Sequence, residues 1–578
     1  VALGLGVGHH LTHLAEQLDD RSVMIVHEPN AALLRAVFER IDHTAWLGKA
    51  NVVVADGQID RAGLLRRIEP FAGLLTQGTV LVTHPACRQF EGEALSAFGE
   101  LVSDALAFCR TNVATSLVNS ARTIHNCAMN VAHYVAGATT DPLHNAARGR
   151  PAVCVGAGPS LAKNVHLLTD PAIRKRVIVI TAQTTLKPLL DRGIRPDIVT
   201  ALDYHEISRR FYEHLPELPD VTLVAEPLAN ASILDNFPGP VRLTNNNFLD
   251  RLLGDLVEPR VPIRYGATVA HLSVYVAQHL GCDPIILIGQ DLGFSDGLYY
   301  CPGTAIHDVW QPELGPFNTI EMMEWQRIAR HRSTLHKRTD VHAQPIYTDE
   351  QMLTYLKQFE RDFAQAPQTI IDATEGGLPI AHTQQMPLAE ALAAHARHEV
   401  EPLPLPRRTL DAGKIAAAAQ LLERRLEQTA ELRRVSTDTM PILRQMIEHQ
   451  RDRERMDRLF RKLEAKKKRV DALKDIFALV NDLNSIGAYK RARADRAIDR
   501  AGVDEAGDRQ RQQLERDLVN VDLIVQACDE ASVIFRAALE RVGAKSKAQS
   551  PKAKGRSSYA DADGRSGERV QGEVGSRG

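Results

Sequence analysis

The chain has 578 residues, of which 44% are hydrophobic and 25% charged, as in an ordinary globular protein with more than one domain. Lys plus Arg (70) nearly balances Asp plus Glu (72), so the net charge of −2 gives no reason to expect nucleic acid or an anionic membrane surface as a partner. No apolar run reaches about 18 residues, so no membrane-spanning segment is predicted.

The cysteines are scattered along the chain without a C-x-x-C pair, and no His/Cys cluster has the spacing of a zinc site. We therefore predict reduced thiols in a cytoplasmic protein and no metal site. The seven cysteines are Cys87, Cys109, Cys127, Cys154, Cys282, Cys301 and Cys528.

Residues 1–145 alternate short apolar runs with amphipathic stretches, which predicts a small Rossmann-like α/β domain. A long helix is expected from about residue 105 to 137, because apolar residues recur there at spacings of three and four. The predicted strands are Val1–Leu5, Val23–Val26, Asn51–Val54 and Thr79–Val82.

A first glycine cluster, Gly4-Leu5-Gly6-Val7-Gly8, joins a predicted strand to a helix, and Glu28 stands twenty residues after Gly8. This is the spacing at which a Rossmann half holds a ribose hydroxyl with a carboxylate. The motif is G-x-G-x-G, however, and not the full G-x-G-x-x-G. A dinucleotide or methyl-donor site is one interpretation, and a structural strand-to-helix turn is the favoured one.

The βα alternation is clearer in residues 146–405, which predicts a central Rossmann-like domain with a mostly parallel sheet. Ligands of such sheets bind at the carboxyl ends of the strands, near the point where the strand order reverses. The predicted strands are Ala152–Val155, Val177–Thr181, Ile198–Leu202, Leu223–Ala225, Ile285–Ile288 and Thr369–Asp372.

The most informative segment is the turn after the first of these strands, where a helical pattern begins at Leu161. Glycine allows backbone angles and close approaches that a Cβ would block, and N–H groups at a helix start can hold an anion. We therefore expect this turn to bind the phosphate of a nucleotide or nucleotide sugar. Its candidate donor-binding residues are Gly156, Gly158, Pro159 and Ser160.

Polar residues also follow the next two predicted strands. Gln183 ends the strand after the glycine turn, and Asp203 follows Ile198–Leu202. Since both lie at carboxyl ends, we expect them to face the cleft and to hold ribose or sugar hydroxyls. For Asp203 a helix N-cap is an equal alternative.

Two later segments add candidates for donor binding. Gly266 and Thr268 begin a helix and can present its N-terminus to a phosphate, although close helix–sheet packing with His271 partly buried is favoured. Gln290 and Asp291 end a very apolar strand, where unpaired burial is costly. A functional role is therefore favoured, in which Asp291 holds a ligand hydroxyl, orients a base or binds a metal.

The segment from 295 to 320 is long and aromatic, which is typical of a functional lid. It carries Thr304, a candidate donor-binding residue, and His307.

Strand patterns end near residue 405, and Leu, Arg, Glu, Ala and Lys dominate residues 406–543, which predicts a helical bundle or hairpin. Leu463, Val470 and Phe477 form a short heptad seam that Lys466 interrupts. This seam is compatible with a homo-oligomer and equally with an internal hairpin. Residues 544–578 are rich in Gly, Ser, Lys and Arg and are predicted to be disordered.

Taken together, four motifs in residues 150–390 resemble the motility accessory factor proteins of bacteria, which are thought to glycosylate flagellin. These motifs are Val155–Leu161, Gly193–Asp197 with Asp203, Gly281–Pro284 through Ile288–Leu292, and Ile371–Ile380.

The resemblance implies a core similar to bacterial sialyltransferases. It implies transfer of a nonulosonic acid, of the pseudaminic or legionaminic acid type, from a CMP donor to Ser or Thr of flagellin or another surface protein, by an inverting reaction that needs no metal or other cofactor. The core also resembles archaeal 6-hydroxymethylpterin diphosphokinases, which use ATP and Mg²⁺, and this is the alternative enzyme class. The flagellar proteins often carry a histidine near the position of Tyr300. This chain has no such histidine there.

Transfer from a CMP donor needs a group that takes the proton of the acceptor hydroxyl, and histidine suits that role at neutral pH. His307 on the predicted lid is the first choice, His271 and His205 are weaker, and Asp291 is a candidate base or orienting group. A third interpretation is a non-catalytic interaction protein that works through its helical region, for example through the basic run Lys466–Arg469.

Overall fold

A computed structural model describes residues 1–18, 22–48, 51–330, 332–406, 409–500 and 506–549. The described chain has the predicted α/β class: a small parallel sheet comes first, a larger parallel sheet follows, and the last segment is helical. It forms two compact units, one of residues 1–124 with 427–532 and one of residues 125–426 with 533 onward. None of the described helices is both long and apolar enough to span a membrane.

The sheet of the first unit has the order β3-β2-β1-β4, and all its described strands are parallel. Each of the four strands predicted for this region overlaps an observed strand; β1 and β2 are buried, β3 is alternately buried, and β4 is partly exposed. These strands are β1 (Ala2–Leu3), β2 (Met24–Glu28), β3 (Val52–Asp56) and β4 (Val82–Thr83).

The helix predicted for residues 105–137 is longer and is broken. It begins at Pro85, ends at Met129 and is followed by a separate helix, Val131–Ala136. At the break, the Asn130 side chain donates to the carbonyl oxygens of Pro227 and Ala229, each at 2.8 Å. The first helices are α1 (His9–Glu16), α2 (Ala31–Arg40), α3 (Thr44–Leu47), α4 (Arg61–Ile68), α5 (Ala72–Leu75), α6 (Pro85–Met129) and α7 (Val131–Ala136).

The sheet of the second unit has the order β15-β14-β11-β6-β7-β8-β9-β10-β5, and its described strands are all parallel. All six predicted strands are confirmed, and the missed ones are only two or three residues long. The strands are β5 (Ala138–Thr139), β6 (Ala152–Val155), β7 (Ile178–Ala182), β8 (Ile198–Ala201), β9 (Thr222–Ala225), β10 (Val241–Leu243), β11 (Ile285–Ile288), β14 (Ile370–Asp372) and β15 (Gln384–Gln385).

An antiparallel hairpin of β12 (Leu335–Thr339) and β13 (Pro345–Asp349) interrupts this βα pattern and was not predicted. The helices of the second unit cover both faces of its sheet, where two apolar clusters form the core. They are α8 (Leu161–Asn164), α9 (Pro171–Arg174), α10 (Leu186–Asp191), α11 (Ala231–Asn236), α12 (Asn247–Leu253), α13 (Val269–His279), α14 (Ala305–Trp310), α15 (Ile320–Arg330), α16 (Glu350–Phe363) and α17 (Leu388–His395).

The last segment is helical, as predicted. A disordered tail was expected from residue 544, but the final helix extends past that residue. An ion pair between Lys545 and Asp235 at 2.5 Å holds this part of the helix. The rest of the predicted tail, from residue 550, lies outside the described residues. The helices are α18 (Ala412–Glu448), α19 (Arg453–Ala472), α20 (Lys474–Leu483), α21 (Ser485–Arg500) and α22 (Ala506–Gln549).

Candidate functional site

The candidate site lies at the carboxyl edge of the larger sheet. Strand β6 stands between β7 and β11, and the strand order reverses at β6. The turns that follow β6 and β11 therefore meet at the position where open α/β sheets bind their ligands. The residues predicted from the ends of β6, β7, β8 and β11 all fall on this edge.

The Asp291 carboxylate fills the glycine turn after β6. It accepts hydrogen bonds from the Ser160 amide at 3.2 Å, the Ser160 hydroxyl at 2.6 Å and the Ser295 hydroxyl at 2.5 Å. Asp291 is buried, and this burial raises the pKa of its carboxyl although the hydrogen bonds oppose the shift. The side chain is therefore enclosed by the protein's own donors.

Other amides of this turn also donate within the protein. The amides of Gly156 and Gly158 bond the carbonyl oxygens of Ile288 and Gly289, each at 2.8 Å. Pro159, which was predicted to bind the donor, has no N–H to donate. Helix α8, which follows the turn, has only four residues. The arrangement thus differs from the expected phosphate cradle, because Asp291 occupies the position expected for the anion.

Three segments of the motifs that carried the resemblance pack against one another around Asp291. They are Val155–Leu161, Ile288–Leu292 and Ile371–Ile380. A Cβ added at Gly158 or Gly377 would overlap Asp291, and one added at Gly376 would lie 2.9 Å from the Ser160 Cβ. Glycine is thus required by close approach at these positions. The motif Gly193–Asp197 lies elsewhere, before β8 and hence at the amino edge of the sheet.

Gln183 and Asp203 are brought together, as the sequence led us to expect for residues at neighbouring strand ends. The Gln183 side chain is buried, donates to the Asp203 carboxylate and accepts a hydrogen bond from the Tyr212 hydroxyl at 3.1 Å. Burial raises the pKa of Asp203, which is only partly exposed. The two side chains form a fixed polar pair at the edge.

His307 is paired with Glu324, which the sequence analysis missed. His307 Nε2 lies 2.8 Å from Glu324 Oε1, and the other carboxylate oxygen accepts from the Tyr299 amide at 3.0 Å. Both side chains are buried, and the hydroxyl of the predicted Thr304 lies 3.4 Å from His307 Nδ1. Glu324 carries no local signal, because it is one acid among others on an amphipathic helix.

An arginine and two tyrosines form a further charged and aromatic group near this histidine pair. The Arg327 guanidinium lies 4.3 Å from the centre of the Tyr299 ring and 5.6 Å from that of Tyr300. Burial raises the pKa of Tyr300, Arg327 opposes this shift, and the nearby Asp203 and Glu324 carboxylates add to it. Tyr300 therefore lies within electrostatic reach of both acids.

The segment of Gly266, Thr268 and His271 makes contacts that stabilise the fold. The Gly266 amide donates to Glu226 at 2.9 Å, and the Thr268 hydroxyl caps helix α13 by accepting from the His271 amide at 3.3 Å. The His271 ring stacks on Phe359 at 3.7 Å, and burial lowers its pKa to about 4. His271 is fully buried, whereas the packing alternative expected it to be partly buried.

The remaining candidates differ in exposure. His205 is exposed, while Gln290 is partly exposed and its amide donates to the Thr374 hydroxyl at 3.3 Å. Glu226 was missed although it directly follows β9; it is buried, and burial raises its pKa to about 7. Within the described residues, no group of three or more His, Cys, Asp or Glu side chains has the arrangement of a metal site.

A family model described as "6-hydroxymethylpterin diphosphokinase MptE-like" matches residues 125–297. The match is to this segment of the chain. The glycine turn, Gln183, Asp203 and Asp291 belong to it, whereas His307 and Glu324 follow it in the chain. The predicted relationship to this group of proteins is thereby confirmed.

Among solved structures, the chain is similar to the MAf glycosyltransferase from Magnetospirillum magneticum AMB-1. The two share 16% sequence identity with a TM-score of 0.50, over 95% of this chain and 82% of that one. At this identity the likeness supports the fold alone. No curated protein sequence matches the chain.

Proposed function

We propose that the chain is a glycosyltransferase that moves a nonulosonic acid from a CMP donor to a Ser or Thr hydroxyl of flagellin or another surface protein. The observation that carries the proposal is the buried His307–Glu324 pair in the segment after β11, a segment whose Cys301 amide bonds the glycine turn at the carboxyl edge. The fold likeness to a MAf glycosyltransferase and the match to the MptE-like family model support the enzyme class.

In this proposal His307 takes the proton of the acceptor hydroxyl. The acceptor oxygen then bonds the anomeric carbon from the side opposite the leaving group, and the bond from that carbon to the phosphate oxygen breaks. CMP leaves with the bonding electron pair, so the configuration inverts. Glu324 fixes the orientation of the His307 ring and stabilises the imidazolium that forms. This chemistry requires no metal or other cofactor.

The donor contacts follow from the groups that remain available. The partly exposed Asp203 carboxylate, which the buried Gln183 side chain orients, holds ribose or sugar hydroxyls, and the partly exposed Gln290 supplies a further amide. Because the glycine-turn amides are used by the protein, the phosphate contact passes to Arg327. Asp291 then supports the turn and takes no part in proton transfer.

The segment after β11 acts as the lid of this site. The Cys301 amide donates to the Ala157 carbonyl oxygen at 2.8 Å, which fastens the segment over the glycine turn. Thr304 and His307 belong to this segment, and both are buried. In the proposed reaction this contact opens to admit the donor and closes to exclude water.

The second candidate is a diphosphokinase that transfers diphosphate from ATP to the hydroxymethyl group of a pterin. The match of residues 125–297 to the 6-hydroxymethylpterin diphosphokinase MptE-like family model favours it. This reaction depends on Mg²⁺, whereas the proposed glycosyl transfer does not.

A ligand-binding experiment separates the two candidates. The melting temperature of the full chain is measured with CMP, UDP and ATP, each with and without Mg²⁺. The glycosyltransferase proposal expects a rise of several degrees with CMP alone, which Asp203→Asn reduces and Asp255→Asn, an exposed control in the same unit, retains. A rise with ATP only in the presence of Mg²⁺ would establish the kinase instead.

A further inference from the structure

The first unit contains a second point at which the strand order reverses. Strand β1 stands between β2 and β4, so the Gly4–Gly8 turn after β1 meets His84, which directly follows β4. The His84 and His10 rings lie there with their centres 4.8 Å apart. A crevice at such a reversal is where parallel sheets bind ligands.

Two imidazole N–H donors border this turn. The His43 Nδ1 atom accepts a hydrogen bond from the Trp46 indole at 3.0 Å, and the His84 Nδ1 atom accepts from the Cys87 amide at 3.3 Å. In a neutral imidazole the other nitrogen then carries the proton, so both Nε2 atoms are donors. His43 is 4% exposed, yet its Nε2 atom has no hydrogen-bond partner in the structure.

Both donors lie against the glycines. A Cβ added at Gly8 would lie 2.9 Å from His43 Nε2, and one added at Gly6 would lie 3.0 Å from His84 Nε2. Gly8 has a φ of +82° and precedes the eight-residue helix α1. The glycines therefore allow the two imidazole rings to approach the turn closely, with both Nε2 atoms beside its backbone.

Backbone donors reach the same place. The amides of Leu11 and Thr12 already bond the Gly8 carbonyl oxygen. The amides of His9 and His10 precede them and have no acceptor within the helix, as at every helix start. A helix N-terminus beside two fixed N–H donors has the chemistry of an anion site.

The neighbouring acids are arranged to spare this space. Glu28 is fully buried, and its two oxygens accept from the amides of Leu5 at 2.9 Å and Asn30 at 3.0 Å. The contacts of Glu28 within the fold thus replace the ribose contact of the less favoured, dinucleotide interpretation of this motif. Burial and the nearby Glu28 raise the pKa of Glu91.

A cavity of the first unit lies beside Asn30 and Glu91, although neither the glycines of the turn nor His43 and His84 line it. Its volume is about 760 Å³, and Asn30, Phe90 and Glu91 are among its lining residues. This volume is within the usual range of small-molecule sites. Phe90 is 81% exposed and so presents an aromatic face to a flat or apolar group.

We propose that the Gly4–Gly8 turn of the first unit binds the phosphate of a phosphorylated small molecule, whose remainder extends toward the cavity beside Asn30 and Glu91. His43 and His84 donate to the phosphate oxygens together with the first amides of α1. This site is independent of the function proposed for the second unit.

The test uses the full chain and three probes: inorganic diphosphate, ADP and a hexose phosphate. Binding is measured by calorimetry, and hydrogen–deuterium exchange locates it by the protection of amides in residues 6–11. His43→Asn keeps an acceptor for Trp46 but removes the Nε2 donor, and His43→Gln restores an N–H near that position. His13→Asn on the exposed face of α1 is the control.

At least one probe should bind and protect residues 6–11. Because a hydrogen bond to a charged group is involved, His43→Asn should weaken this binding by about 10- to 100-fold. His43→Gln and His13→Asn should bind close to the wild-type level. ADP binding alone would identify a nucleotide, and binding of all three probes would identify the phosphate as the main determinant.

Two results would overturn the proposal. One is that none of the probes protects residues 6–11 of the wild-type chain, a result that does not depend on any variant. The other is that a folded His43→Asn chain, with an unchanged melting temperature, binds the probe as tightly as the wild type does.

Discussion

His307 Nε2 lies 2.8 Å from Glu324 Oε1, and neither side chain has appreciable contact with solvent. The two residues stand on different helices of the segment after β11, α14 and α15, so the pair depends on how these two helices pack against each other. The Tyr299 amide holds the second carboxylate oxygen at 3.0 Å. A histidine oriented in this way is suited to take a proton from a hydroxyl.

The first prediction concerns this pair. Glu324→Gln should lower kcat for glycosyl transfer by about 100-fold with little change in KM, because the carboxylate that orients and stabilises His307 is lost. Steady-state kinetics over a range of pH provides the measurement. The matched control is Glu350→Gln, which removes the partner of His336 at 3.1 Å in a more exposed pair of the same unit. An unchanged kcat in Glu324→Gln would exclude His307 as the base.

The second prediction concerns the close approach at the glycine turn. Gly158→Ala should destabilise the second unit by about 3 kcal/mol, because the added Cβ would overlap the Asp291 carboxylate and force the packed turn apart. Urea unfolding followed by tryptophan fluorescence measures the change. Gly315→Ala is the control, since its Cβ would meet nothing within 4 Å. Equal stability of the two variants would show that the turn does not need its glycine.

The third prediction tests the hydrogen bonds of Asp291. Asp291→Asn should cost about 1–3 kcal/mol, because an amide nitrogen would face donors from Ser160 or Ser295 and leave one of them unpaired. The exposed Asp296→Asn variant, five residues further on, should change the unfolding free energy much less. If Asp291→Asn unfolds at the wild-type urea concentration, the carboxylate does not hold the turn.

The fourth prediction is a pH dependence that arises at Glu226. Burial raises its pKa from 4.5 to about 7, so the folded state binds the proton more tightly than the unfolded state does. This contribution to stability is present below pH 4.5 and is lost as the pH rises to about 7.

Relative to Glu226→Gln, the wild type should therefore lose about 3 kcal/mol of unfolding free energy across that interval. Urea unfolding of both proteins at four pH values measures the difference, with the exposed Glu258→Gln as the control. A constant difference from pH 4.5 to 7.5 would contradict the burial of a titrating carboxyl.

Much of the fold could be predicted from the sequence because the strands of the large sheet are buried on both faces. Runs such as Ile285–Ile288 are apolar throughout, and they are strands in the structure. Two-residue strands such as β5 and β15 have no periodicity to detect, and their pairing depends on neighbours far along the chain.

The candidate site was only partly predictable, because its contacts join residues that are far apart in the chain. The sequence indicated that the glycine turn and Asp291 lie on one edge, but it does not show that the carboxylate fills the turn. That contact joins residues 131 positions apart. Glu324 was missed because its role depends on packing against His307, whereas an acid on an amphipathic helix is ordinarily a solvated residue.

The most direct test of the proposed function is a transfer assay. The full chain is incubated with flagellin and CMP-activated pseudaminic or legionaminic acid, and the intact mass of the acceptor is measured. The proposal expects an increase equal to the sugar residue, release of CMP, and loss of both with His307→Gln. An unchanged acceptor mass, together with Mg²⁺-dependent formation of AMP from ATP and 6-hydroxymethylpterin, would contradict it.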